Sequence, residues 1–211
     1  MREIHIKPPN WTDLQLRRRG ITDARVLAAM ERVPRELFVP SQLRPRAYDD
    51  AALALSHGQT ISQPYIVALI SASLELNGGE RVLDIGTGSG YQAAVLAELA
   101  GAVVSVERIP ELAEQAQLNL EAAGYATRVE VFTGDGTLGL PERAPFDAIA
   151  VAAAAVEIPP ALVAQLGPGG RLVIPVGESL VRIERTVTGR LRTRWVAPAR
   201  FVPLVSGLTK N

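Results

Sequence analysis

The stretch "VLDIGTGSGY", residues 82–91, runs from apolar residues into alternating glycines and then into a helical pattern. Glycine at Gly86, Gly88 and Gly90 lets the backbone turn sharply and lets a ligand approach the main chain closely. A strand, a tight turn and a helix in that order form the repeating unit of a parallel sheet, in which ligands bind beyond the carboxyl ends of the strands. The unit recurs downstream. "RVLDI" leads to the helix "YQAAVLAELA", and "AVVSVE" leads to the helix "PELAEQAQLNLEAAGY", opened by Pro110 and stopped by Gly124. "RVEVFTGDG" and "FDAIAVAAA" supply two further strands, "PPALVAQLGPGG" a helix and "RLVIPVG" a fifth strand. The closing "SLVRIERTVTGRLRTRWVAPARFVPL" alternates apolar and polar residues about a Thr-Gly turn, as antiparallel strands do.

The first 79 residues read differently. Residues 11–33 are predicted helical, with Thr22 as the cap of "DARVLAAMERV", and "VPRELFVPSQLRPRAYDD" as a turn-rich segment broken by Pro34, Pro40 and Pro45. "PYIVALISASLEL" is a helix with Pro64 at its favourable first position. The expected fold is thus a doubly wound α/β sheet with a helical N-terminal extension and antiparallel C-terminal strands. We expect one domain over 1–211: the extension at 1–79, a cofactor-binding core at 80–177 and the final strands at 178–211.

Charge and composition narrow the function. The 22 basic and 22 acidic residues cancel, so no overall field favours nucleic acid or an anionic membrane. With no cysteine there is no disulfide, zinc-thiolate site or thiol nucleophile, which fits a reducing compartment. "MREIHIKPPNW" lacks the continuous apolar core of a signal peptide, and no run approaches the roughly 18 apolar residues of a membrane span. A monomer in the cytoplasm, with no metal, nucleic acid or membrane partner, is expected.

The glycine turn is not a dinucleotide fingerprint, because the sixth residue from Gly86 is Tyr91 and not glycine. Acids nevertheless follow at successive strand ends. Glu107 stands 21 residues after Gly86, placed to accept from both ribose hydroxyls of a nucleoside. Asp135 in "TGDG" could accept from an adenine amine, with Gly136 leaving room for the base, and Asp84 could orient the turn or meet a ligand ammonium. In isolation, Glu107 reads as a solvated strand-end acid and Asp135 as a turn former. Their joint placement favours a nucleoside cofactor. Just before the Pro64 helix, "SHGQTISQPY" (56–65) crowds hydroxyls and amides with no Lys, Asp or Glu.

Asp-x-Gly-x-Gly-x-Gly resembles motif I of the class I S-adenosylmethionine-dependent methyltransferases, a Rossmann-like fold. Nearly the whole chain resembles the protein-L-isoaspartate (D-aspartate) O-methyltransferase family. The shared segments include "VPRELFVP", "AYDD", "GQTISQPYIVA", "VLDIGTGSGYQAAVLA", "VERI", "GDG", "APFDAI", "GGRLVIPVG" and "FVPL". "GQTISQP" together with "FVPL" is the specific pair. The resemblance implies an enzyme that moves a methyl group from S-adenosyl-L-methionine to the α-carboxylate of L-isoaspartyl residues in damaged proteins and peptides, leaving S-adenosyl-L-homocysteine. It implies Ser62 and Thr60 as catalytic residues. It also implies Gln59, Thr60, Ile61, Asp84, Gly86, Gly88, Ser89, Gly90, Glu107, Arg108, Asp135 and Gly136 as cofactor contacts, and Ser62, Val202 and Val205 as substrate contacts.

The chain departs from that pattern at Ala54 and Ser56, at Asp84, where many members have glutamate, and at Ala152, where many have threonine. It lacks the proline pair at Ala155 and Val156, and the glutamine after "PVG". Ala152 removes a hydroxyl near the expected active site. The alternatives are a cofactor-binding homologue with altered substrate or little activity, a methyltransferase for nucleic acid or a small metabolite, and a dehydrogenase. "VAAAA" after the fourth strand, where an Asn/Asp-Pro-Pro-Tyr/Phe motif would stand, counts against an amino-methylating enzyme.

Overall fold

The computed structural model describes residues 7–209. Most of the opening stretch read for a signal peptide, residues 1–6, lies outside the described residues, as do 210 and 211.

The long helix expected at 11–33 is two helices. α1 (Trp11–Gln15) passes through a single 3-10 turn and stops at Gly20, whose φ of 94° ends the helical path, and α2 (Ala24–Arg32) begins afresh. Asp23, not Thr22, caps α2: its carboxylate accepts from the backbone N–H groups of Arg25 and Val26. The proline-broken segment forms two short 3-10 helices, Arg35–Phe38 and Ser41–Arg46, the second accommodating Pro45. A two-residue ladder of β1 (Leu53–Ala54) and β2 (Thr60–Ile61) then folds the polar loop back on itself. α3 (Pro64–Ser73) starts at Pro64 as predicted.

The main sheet follows the sequence closely. β3 (Arg81–Ile85), β4 (Ala102–Glu107), β5 (Val129–Thr133), β6 (Phe146–Val151) and β7 (Leu166–Val176) are parallel, and β8 (Ser179–Arg185) and β9 (Leu191–Pro198) close it antiparallel. The spatial order is β5-β4-β3-β6-β7-β8-β9, so the chain reverses direction between β3 and β6. Between the strands lie α4 (Tyr91–Leu99), α5 (Pro110–Ala122) and α6 (Pro160–Ala164). α6 is shorter than predicted, because "LGPGG" is the start of β7: Leu166 already pairs with Phe146, and the register slips before Arg171 pairs with Ala148. A side chain on Gly170 would meet the Gly167 and Phe146 carbonyls at 2.8 and 3.1 Å, so this irregular stretch needs glycine there.

Strand periodicity sorts neighbours onto opposite faces. Val82, Val103, Ala148 and Val173 share a buried cluster with Met30, Val67 and Leu96 of the helices, whereas Leu83, Val104, Ile149 and Leu172 pack with Leu140 and Leu162. Both faces are covered, which is why these strands read as continuous apolar runs. The N-terminal helices share the first cluster with the sheet, so the polar loop that follows them is held against the strand ends.

Candidate active site

The carboxyl ends of β3, β4 and β6 open onto a cleft of about 890 Å³, counting the solvent-open space at its mouth. It lies where the strand order reverses, the position at which open α/β sheets bind ligands. Gln59, Thr60, Ile61 and Ser62 form one wall, Gly86, Gly88, Ser89 and Glu107 another, and Val202 to Val205 a third. Arg108, Gly136 and Ala152 complete the rim.

The glycine turn is built by backbone conformation. Gly86, Gly88 and Gly90 have φ values of 89°, 54° and 90°, a region that side chains rarely adopt. Glu107 braces the turn from the next strand: one carboxylate oxygen accepts from the Gly88 N–H at 2.9 Å, the other from the Ile109 N–H at 3.1 Å. Each oxygen keeps a further lone pair for a ligand hydroxyl. Gly136 faces Ile85 so closely that a Cβ would lie 2.6 Å from the Ile85 side chain, so glycine there keeps the cleft wall flat.

The polar loop is fixed from behind. Leu55 donates to the Gln59 carbonyl at 2.8 Å, and His57 turns the exposed tip with φ 58°. Arg35, fully buried, donates from Nη2 to the Ser62 carbonyl and from Nε to the Ala47 carbonyl, both at 2.7 Å. Its guanidinium lies 4.6 Å over the Tyr91 ring, and no carboxylate pairs with it among the described residues. Burial accordingly pushes its pKa down from the usual guanidinium range. Neither the Ser62 nor the Thr60 hydroxyl is committed to a partner among the described residues, so both can serve a ligand.

Three predicted cofactor contacts stand outside the cleft wall. Gly90 packs against α5, with Leu120 3.2 Å from where a Cβ would sit. Asp84 is sealed beneath the turn, accepting from Gln92 Nε2 at 2.8 Å and Ser105 Oγ at 2.7 Å. Burial, opposed by those two hydrogen bonds, lifts its pKa to about 6, with Glu107 adding to the rise. The sequence offers it two parts, orienting the turn or meeting a ligand ammonium, and its carboxylate stands beneath the turn and off the cleft wall. Asp135 turns its carboxylate to Thr137 and to the backbone N–H of Gly207, 2.6 Å away, instead of toward the cleft. With Arg108, which donates to the Gly207 carbonyl at 3.1 Å, it straps the C-terminal segment over the strand ends.

Partial burial of Asp135 opposes ionisation, but its bonds to Thr137 and Gly207, aided by Arg108, outweigh it and lower the pKa below 3.8. A depressed acid contributes stability that is full above its unfolded pKa and fades as pH falls through the folded one. The strap should therefore hold at neutral pH and loosen only in strong acid. In a pH series, the Gly207 amide resonance is expected to titrate with an apparent pKa below 3.8; a midpoint at or above that value would show that Asp135 does not hold the strap.

Tyr91 and Gln92 are among the cleft-lining residues that were not read as site residues from the sequence. Tyr91 supplies the ring under Arg35, and Gln92 stands nearly buried with its Oε1 lacking a partner among the described residues. A buried acceptor left unpaired costs about 1–3 kcal/mol, which a ligand donor would recover. The only advance signal for Gln92 was a polar side chain set among the apolar residues of "YQAAVLA".

The sequence pattern of the protein-L-isoaspartate(D-aspartate) O-methyltransferase family matches residues 13–209. Protein-L-isoaspartate O-methyltransferase 2 of Marinobacter nauticus is 58% identical over 196 residues, covering 90% of this chain and 89% of the relative. Protein-L-isoaspartate O-methyltransferase of Methanoculleus marisnigri is 55% identical over 197 residues, covering 92% and 89%. Among solved structures, a Plasmodium falciparum beta-aspartate methyltransferase in complex with S-adenosyl-L-homocysteine aligns with a TM-score of 0.78 at 27% identity, over 92% of this chain and 96% of that one.

Proposed function

Because the chain belongs to the protein-L-isoaspartate(D-aspartate) O-methyltransferase family, we propose that this cleft is where it carries out the family's reaction, with Ser62 and Thr60 as its catalytic residues. The enzyme transfers a methyl group from S-adenosylmethionine to the α-carboxylate of L-isoaspartyl residues in damaged proteins and peptides. The observation that carries the assignment is the meeting, in one cleft, of the Thr60 and Ser62 hydroxyls with the glycine turn and Glu107.

The residues suit the cofactor. Glu107 offers two acceptor oxygens to the ribose, Gly136 a flat surface to the base, and Gly86, Gly88, Ser89, Gln59, Ile61 and Arg108 line the rest. When bound, the cofactor supplies a methyl group already activated by the positive sulfur.

An α-carboxylate has a reference pKa of about 3.3–3.7, so at neutral pH the nucleophile is ionised and needs no general base. The protein's task is alignment at about 3–3.5 Å and exclusion of water. Neutral hydroxyls hold carboxylate oxygens in place without neutralising the charge that attacks. An acid in the loop would repel the substrate, and an ammonium would stabilise its ground state. The charge-free loop meets both requirements. Val202 and Val205 bound the substrate side, where the cleft runs into a groove containing Tyr65 and Phe201.

Labelled donor should mark an isoaspartyl peptide and spare its aspartyl counterpart; equal labelling would reject the substrate assignment. Ser62→Ala should lower kcat about tenfold, the loss of one hydrogen bond to a charged group. Donor affinity should stay within about twofold. A variant that no longer binds donor would make Ser62 a structural residue.

A further inference from the structure

We propose that Gln92 receives the ammonium group of the cofactor's amino-acid arm, its amide held in that orientation by Asp84. The inference rests on the donor reading of the cleft and adds a binding residue to it.

Gln92 sits in the first turn of α4, directly after the glycine turn, and is 6% exposed on the cleft wall. An ionised carboxylate accepts and cannot donate, so the Asp84 contact fixes which end of the amide faces it: Nε2 points to Asp84, and Oε1, itself buried, is the end left without a partner among the described residues. Asp84 is held in turn by Ser105, whose hydroxyl lies 2.6 Å from that of Thr87. The amide is thus set before any ligand arrives.

An orphan acceptor selects a donor. On an S-adenosyl nucleoside the donors are the adenine amine, the ribose hydroxyls and the ammonium. The amino-acid arm carries the reacting sulfur, so it must lie near Thr60, Ser62 and Ala152. The glycine turn abuts that side of the cleft: a Cβ on Gly86 would sit 3.6 Å from the Ala152 Cβ. Glu107, one strand further out, is left for the ribose. The ammonium is the donor that reaches Gln92, and the buried charge of Asp84 behind the amide favours a cation there.

The test pairs S-adenosylhomocysteine with its des-amino analogue, in which hydrogen replaces the amino group, in calorimetric titrations. The unmodified enzyme is expected to prefer the amino ligand about tenfold or more, as one hydrogen bond to a charged group gives. Gln92→Met should erase that preference by weakening the amino ligand about tenfold and the analogue less than about twofold. Equal weakening of both ligands, or unchanged preference, would overturn the proposal. Should the variant fail to fold, the side-chain amide resonance of Gln92 in the unmodified enzyme decides: it should shift with the amino ligand and stay put with the analogue, and equal shifts would overturn the inference. If neither ligand binds the unmodified enzyme, the donor reading of the cleft fails, a result distinct from loss of preference.

Discussion

Glu107→Gln is expected to weaken binding of S-adenosylhomocysteine at least about 100-fold while the sheet stays folded. Two ribose hydroxyls donating to a carboxylate make two charge-assisted bonds of about 1.5–3 kcal/mol each. The amide keeps the shape but loses the charge. It also fails the protein itself: the carboxylate accepts from both Gly88 and Ile109, and an amide presents one acceptor and one donor to those two N–H groups. One contact becomes donor against donor, so the glycine turn shifts as the affinity falls. Calorimetric titration alongside circular dichroism separates the outcomes. Affinity within about fivefold of the unmodified enzyme would remove Glu107 from the site.

Arg35→Met is expected to lower the melting temperature by about 5–15 °C and to cut turnover in the surviving fold. The guanidinium satisfies the buried carbonyls of Ala47 and Ser62, and removing their donors costs about 1–3 kcal/mol each. Relief of the guanidinium's own desolvation offsets part of this, leaving a net loss of about 2–4 kcal/mol. For a chain of this size each kcal/mol lowers the melting point by about 2–4 °C. Turnover falls because the Ser62 carbonyl is a point at which the loop is tied to the body of the protein. Arg35→Lys should recover part of each loss, since an ammonium reaches one carbonyl and not both. Melting curves and steady-state rates check the pair. An Arg35→Met protein that melts within about 2 °C of the original and turns over normally would show that the loop needs no such anchor.

The sequence was most legible where periodicity and glycine act together. The bounds of β3 and β4 match "RVLDI" and "AVVSVE" residue for residue, and most of the predicted cleft lining converges in space. Legibility failed where a long-range partner decided the local structure. Residues 166–170 read as the end of a helix because their pairing with Phe146 across the sheet leaves no periodic trace. Gly20 interrupts a stretch whose apolar spacing runs on through it. Arg35 in "VPRELF" has the look of a solvated charge, since one turn of 3-10 helix is too short for its spacing to show which side chain points inward. Gln92 escaped the sequence reading for a similar reason. The spacing places Asp84 and Gln92 both near the turn, but only the packing shows that Gln92 lines the cleft and Asp84 lies behind it.

β9 lies at the end of the sheet, so one side of its backbone has no neighbouring strand among the described residues. Trp195 and Leu191 are exposed along it, a combination that invites self-association by strand addition. Arg192 and Arg194 lie in the same strand and Arg190 just before it, with Arg194 also paired to Glu75 at 3.4 Å. Two molecules docking margin to margin would crowd like guanidinium charges together before any ladder could form, so colloidal behaviour should worsen as salt screens that repulsion.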